Sequence, residues 1–104
     1  MFRVFRSEWY EKKLNKLSPQ EQERVIKFEQ QLKQNHLQGK SLGYEFFREK
    51  KFNGKRLYFL VYSLHKVVFL ITIGDKKSQQ QVIEIIKSNL DIYKEQIERI
   101  LNNL

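Results

Sequence analysis

The residues of this chain best suited to chemistry are cations. Between Tyr44 and Lys77 the sequence reads YEFFREKKFNGKRLYFLVYSLHKVVFLITIGDKK, and eight Lys/Arg against three acids there supply +5 of the net charge of +8. Arg48, Lys50, Lys51, Lys55, Arg56, Lys76 and Lys77 are interleaved with aromatics such as Tyr58. Aromatic faces stack on bases while Lys and Arg neutralise phosphates, the usual way of holding single-stranded RNA. The same groups could support RNA cleavage. Attack of a ribose 2′-hydroxyl on the adjacent phosphate needs a base, an acid and positive charge on the pentavalent transition state. A lysine crowded by other cations has a lowered pKa and can serve as the base. Against this stands the simpler reading of a solvated lysine rim that keeps the protein in solution.

Other chemistries have less support. His36 and His65 are the only histidines, lie in different loops and have no carboxylate at ligand spacing, so no metal and no cofactor is expected. No Ser-His-Asp or Cys-His arrangement is present, and Gly39 and Gly43 stand alone rather than in a phosphate-cradling loop. Glu45 and Glu49 could form an acid–base pair, but salt bridging to nearby lysines is the simpler reading.

The elements that position these residues must come from one domain, because 104 residues match the usual domain size of roughly 100–150. The 40% hydrophobic content, with eight Phe, five Tyr and one Trp, is enough for a core without disulfides, and there is no cysteine to form any. The longest apolar runs, Leu57–Tyr62 and Val67–Ile71, fall far short of the roughly 20 residues that span a bilayer. No signal peptide is visible, and a soluble cytoplasmic protein without membrane contact is expected. A pI near 9.8 favours an anionic partner.

In chain order, Phe2–Arg6 reads as a short strand and Ser7 as an N-cap for a helix with Tyr10, Leu14 and Leu17 on one face. Ser18-Pro19-Gln20-Glu21 combines a capping residue, proline at the first helical position and a capping-box glutamate. Val25, Phe28 and Leu32 form the apolar face of this second helix, with Glu21, Glu23, Arg24, Lys27, Glu29 and Lys33 expected in solvent. Tyr44–Phe52 and Lys55–Ser63 read as strands joined by Asn53-Gly54, whose residues tolerate the positive φ of a type I′ turn. Leu57, Phe59 and Val61 should face the helices and leave Arg56 and Tyr58 on an open face. Val67–Ile73 reads as a central strand buried on both sides.

From Ser78, read as another cap, a helical pattern runs to Leu104. Ile86, Leu90, Tyr93, Ile97, Ile100 and Leu104 recur at spacings of four and three. A helix over about 78–104 would measure about 40 Å and overhang its own sheet. Tyr93, Ile97, Ile100 and Leu104 are therefore expected to meet a partner or a second copy of the chain. The order β-α-α-β-β-β-α gives an α+β fold: an antiparallel sheet with helices packed on one face.

This order, with two local motifs, resembles the RelE/ParE toxin superfamily of prokaryotic toxin–antitoxin systems, and most nearly its HigB-like, phage-associated branch. Gly54-Lys55-Arg56-Leu57-Tyr58 is similar to the family's glycine-x-arginine-apolar-tyrosine strand. Gly74-Asp75-Lys76-Lys77-Ser78-Gln79 is similar to the lysine-lysine-threonine-glutamine of that branch. The resemblance covers nearly the whole length and implies a single RelE-like domain over 1–104. It implies a metal-free endoribonuclease that cuts messenger RNA on the ribosome and is neutralised by a cognate antitoxin.

By that resemblance Arg56 would bind the phosphate or stabilise the transition state, Lys76 would do the same with Lys77 beside it, and Lys50 or Lys51 would be the general base. Arg48, Lys55, Tyr58 and Gln79 would contact RNA. The RelE branch carries a tyrosine early in its last helix where this chain has Gln80-Gln81-Val82. Either lysine and a glutamine do the acid–base work, or the chain is a RelE/ParE-fold protein without RNase activity. The latter would be a gyrase inhibitor of the ParE kind or a degenerate toxin acting as a binding module. A plain single-strand nucleic-acid binder is a third reading.

Overall fold

The computed structural model describes residues 1–104. Strand β1 (Arg3–Arg6) leads into helices α1 (Glu8–Leu14) and α2 (Pro19–Gln34). Strands β2 (Lys40–Ser41), β3 (Phe47–Phe52), β4 (Lys55–Tyr62) and β5 (Val67–Asp75) follow, then helices α3 (Gln79–Ser88) and α4 (Leu90–Asn102). The five strands form one sheet in the order β1-β5-β4-β3-β2. Strand β1 runs parallel to β5 and every other pair is antiparallel, so the sheet is mostly antiparallel, as the α+β reading expects.

Local signals account for most of these boundaries. The Ser7 hydroxyl accepts from the Tyr10 N–H at 3.0 Å and donates to the Ile71 carbonyl at 2.6 Å, which caps α1 and pins it to β5. Ser18 and Glu21 form the reciprocal capping box, with Pro19 opening α2. Asn53 and Gly54 have φ values of 47° and 73°, as a type I′ hairpin turn requires. The two-residue strand β2 carries no sequence pattern. Gly39 ahead of it has a φ of 79°, and a Cβ there would collide with the Glu49 carbonyl oxygen.

The sheet is covered on both faces, not one. Leu57, Phe59 and Val61 of β4 pack with Val68, Leu70 and Ile73 of β5 against Tyr10, Leu14, Val25, Phe28 and Leu32 of α1 and α2. On the opposite face Tyr58, Leu60, Val67, Phe69 and Ile71 pack with Phe47 against Val82, Ile86 and Ile97 of α3 and α4. The expected open face is thus closed by the C-terminal helices. A bulge in β5 between its pairings with Tyr58 and Phe59 leaves Ile71 as an extra residue turned into this second core.

The single C-terminal helix expected over 78–104 is two helices broken at Asn89. There the backbone leaves the helical region (φ −124°, ψ 20°), and the Asn89 side-chain amide donates to the Ile85 carbonyl at 2.7 Å. A straight helix of about 40 Å would exceed the longest dimension of the molecule, 34 Å. The break lets the apolar seam stay on the sheet. Ile97 is completely buried and Tyr93 and Ile100 pack beside it, so only Leu104 of the expected partner-binding seam is well exposed. Ser78 makes no capping bond to α3 and instead closes a turn with Asp75.

Glu29 is a further correction. Expected in solvent, it is buried, taking two bonds from Arg6 at 3.0 and 2.7 Å and one from the Tyr10 hydroxyl at 2.8 Å. The pairing crosses from α2 to β1 and α1, a contact that helical periodicity does not encode. No helix is long and apolar enough to cross a membrane.

If α4 belongs to the chain's own core, Ile97→Ala should lower unfolding stability by about 2–5 kcal/mol. Chemical denaturation would measure the loss, and light scattering should show an unchanged oligomeric state.

Candidate active site

One end of the second core is polar. Glu49 of β3 stands opposite Tyr58 of β4, and Arg56 stands opposite Lys51 on one side and Gly74 on the other. Glu49 and Arg56 are 2% and 7% exposed, respectively. The Arg56 Nε lies 3.8 Å from Glu49 Oε2, and the Gln79 side-chain amide donates to that same oxygen at 2.8 Å. Glu49 Oε1, Arg56 Nε, the Tyr58 hydroxyl and Thr72 Oγ1 have no hydrogen-bond partner. Leaving such groups buried and unpaired costs about 1–3 kcal/mol each. Of the five unpaired buried side-chain polar groups in the molecule, only the Tyr62 hydroxyl lies outside this cluster.

The local sequence builds this arrangement. Strand alternation puts Glu49 and Lys51, then Arg56 and Tyr58, on the face that α3 covers. Gly74 allows Ser78 and Tyr58 to approach the strand closely, because a Cβ at that position would sit 3.1 Å from Ser78 Oγ and 3.6 Å from Tyr58 Cε2. The turn from β5 to α3 is fixed by the Ser78 N–H donating to Asp75 Oδ1 at 2.9 Å. Those bonds from Ser78 hold the Asp75 carboxyl below the usual carboxylate range. Lys76 and Lys77 are displayed on this turn, exposed and without carboxylate partners, and Gln79 follows at the start of α3.

Chemically, this is a fixed cation with spare donors. A guanidinium has five N–H groups. Arg56 engages one of them in a long bond of 3.5 Å from Nη1 to the Gly54 carbonyl, besides its ion pair. An anion placed there would meet a preorganised partner, with two exposed lysines on the adjoining turn. Burial, and secondarily the Glu49 carboxylate, pushes the Tyr58 phenol up to about 12, so it stays neutral and proton-bearing at physiological pH.

The structure divides the residues singled out by sequence. Arg56, Lys51, Tyr58 and Gln79 share the α3 side of the sheet with the Lys76-Lys77 turn. Lys50 points to the other face, its amine 5.6 Å from the centre of the Phe28 ring. Arg48 donates to the carbonyls of Gln38, Glu45 and Gly39 and so anchors the loop before β3. Lys55 pairs with Glu21 at 3.1 Å and ties the hairpin to α2. Tyr58 is wholly buried, so its ring has no face to offer a base. Glu45 and Glu49 are not a pair: Glu45 is exposed while Glu49 is enclosed with Arg56. Thr72 was not legible as a site residue, because a threonine inside an apolar strand looks like strand propensity.

No protein-family model and no curated protein sequence matches the chain. Among solved structures, a chain of the intact Escherichia coli RelBE toxin–antitoxin complex superposes with a TM-score of 0.66 at 23% identity, over 72% of this chain and 96% of that one. A double arginine-to-alanine mutant of E. coli toxin RelE in the free state gives 0.67 at 20% identity, over 95% and 97% of the two chains. A chain of the archaeal RelE–RelB complex from Pyrococcus horikoshii gives 0.56 at 15%, over 72% and 94%. The chain has the RelE-like toxin fold.

Since the Tyr58 hydroxyl is buried without a partner, Tyr58→Phe should raise stability at neutral pH by about 1–3 kcal/mol. The raised folded-state pKa means that the protonated phenol favours the folded state, and this contribution is lost as pH rises from about 10 towards about 12. Denaturation at pH 8 and pH 11 should show the wild type losing more stability across that interval than Tyr58→Phe.

Proposed function

We propose that this protein is the toxin of a type II toxin–antitoxin pair, an endoribonuclease that cleaves messenger RNA on the ribosome in the cytoplasm. The motif Gly74-Asp75-Lys76-Lys77-Ser78-Gln79 supports reading it as a member of the HigB-like branch. The observation that carries the reading is Arg56: a nearly buried guanidinium with uncommitted donors, beside the unpaired Lys76 and Lys77, on a RelE-like fold. A cognate antitoxin is the proposed partner, a reading supported by the RelBE and RelE–RelB complexes from which similar chains come.

In the proposed reaction Arg56 holds a phosphate oxygen of the scissile bond. The 2′-oxygen of the preceding ribose attacks phosphorus as its proton passes to the Lys51 amine, the general base. The bond to the 5′-oxygen of the next nucleotide breaks, and that oxygen takes a proton from the Lys76 ammonium. The products are a 2′,3′-cyclic phosphate and a 5′-hydroxyl. Arg56, Lys76 and Lys77 together oppose the charge that grows on the phosphoryl oxygens, where preorganised donors have their largest effect. Gln79 and Glu49 act as positioning residues for Arg56. Lys50 is assigned to the other face of the sheet rather than to this reaction.

Expression should arrest growth and produce messenger RNA cut at the ribosomal A site, mapped by primer extension. Arg56→Ala leaves Glu49 buried without a counter-charge and is expected to lower stability. Arg56→Lys keeps the charge and loses the planar fork. Arg56→Lys should therefore fold, as judged by circular dichroism, and reduce cleavage about 100-fold or more. A folded Arg56→Lys protein with wild-type cleavage would remove Arg56 from the mechanism. Arrest with intact messenger RNA and broken chromosomal DNA would instead indicate a gyrase-directed protein.

A further inference from the structure

On the face of the sheet away from Arg56, α2 and the outer half of β3 enclose a groove. It is a cavity of about 360 Å³, at the small end of the roughly 300–1,000 Å³ typical of ligand pockets. Its floor is apolar: Val25, Phe28, Phe52 and Leu57. Its rim carries Arg24, Lys27, Lys50 and Lys51 with Gln31, and no carboxylate lines it. None of these four cations has a carboxylate partner, whereas Lys55 close by is paired with Glu21.

Two features make this more than a solvated lysine rim. Two of the cations are held over the aromatic floor. The Arg24 guanidinium lies 5.7 Å from the Phe52 ring centre and is fixed by a 2.6 Å bond to Asn53 Oδ1, while the Lys50 amine lies 5.6 Å from the Phe28 ring centre. The groove also lies at the same end of the hairpin as the Arg56 site: Lys51, one of its lining residues, is the direct cross-strand neighbour of Arg56, at the edge where the two faces of the sheet meet.

We infer that this groove is a second RNA subsite, taking one unstacked nucleotide of the strand whose scissile phosphate lies at Arg56. The inference rests on the proposed RNase reading. The base would lie on the apolar floor against Phe52 and the planar Arg24 guanidinium, and Gln31 offers both a donor and an acceptor to a base edge. Lys27 and Lys50 would take the flanking phosphates, and Lys51 would bridge the two subsites around the edge of the sheet. An acidic peptide would also satisfy the rim charge. The nearness of Arg56 through Lys51 and the aromatic–guanidinium floor favour RNA.

The test uses the full chain and single-stranded RNA hexamers carrying 4-thiouridine at each position in turn. Lys27 and Gln31 are exposed and make no side-chain hydrogen bond, so Lys27→Ala and Gln31→Ala should fold normally. Lys27→Ala should weaken hexamer binding about fivefold or more and flatten the slope of log affinity against log salt by about 0.7, one phosphate contact on a single strand. Ultraviolet irradiation should give adducts on peptides containing Phe52 or Phe28 as well as on the Lys76-Lys77 turn. Unchanged affinity and slope in both variants, with adducts confined to the turn, would overturn the subsite and leave the RNase reading standing. Wild-type protein that binds neither the hexamers nor ribosome-bound messenger RNA would overturn both. Variants that keep RNA affinity but lose binding to a glutamate-rich peptide would assign the groove to a protein ligand instead and overturn the inference.

Discussion

The fold depends on burying β5 on both faces. Val67 to Ile73 are all almost inaccessible to solvent, and such a strand demands an apolar layer above and another below. Helices α1 and α2 provide the first and α3 and α4 the second. Strand β1 closes the remaining edge of β5 by running parallel to it, pinned where the Ser7 hydroxyl reaches the Ile71 carbonyl. Once β5 is enclosed, β4 must follow, because it pairs along nearly its whole length with β5 and shares both cores. The polar cluster then falls where the second core runs out, at the end of β4 and β5 nearest the hairpin.

That position explains the division of the cations. Because a strand alternates its faces, Lys50 turns to the α2 side and Lys51 to the side of Arg56, and the two share only the rim of the groove at the edge of the sheet. Arg48 and Lys55 are spent on architecture: the first gathers three loop carbonyls and the second ties the hairpin to α2. What remains around Arg56 is a small group of charges with few internal partners. A protein that had optimised stability alone would have paired or removed the orphaned groups of Glu49, Tyr58 and Thr72.

Signals confined to a few neighbouring residues were legible in the sequence. The caps at Ser7 and Ser18, the Asn53-Gly54 turn, the inward set Leu57, Phe59 and Val61, and the doubly buried β5 all follow from local pattern. Long-range decisions were not. The closure of the second face turns on where the C-terminal seam docks, and an apolar stripe does not say whether it meets its own sheet or a partner. The break at Asn89 is marked by no proline or glycine. Glu29 reads as solvated because its partners lie 23 and 19 residues away. In the site, Arg56 and the Lys76-Lys77 turn were visible as charge. Glu49's enclosure with Arg56 and the burial of Tyr58 required the second layer of helices.

That second layer is contributed by the last elements in the chain, which bears on the order of events during synthesis. Synthesis proceeds from the N-terminus, and α3 and α4 follow every strand of the sheet. The first core can form once β5 is available, since its helices precede it. The second cannot close until Ile97 has left the ribosome, and only α3 brings Gln79 to Glu49. Until then Arg56 and Glu49 lack the helical layer that encloses them in the finished fold. The finished geometry of the site is a late event, separated in time from the appearance of its residues.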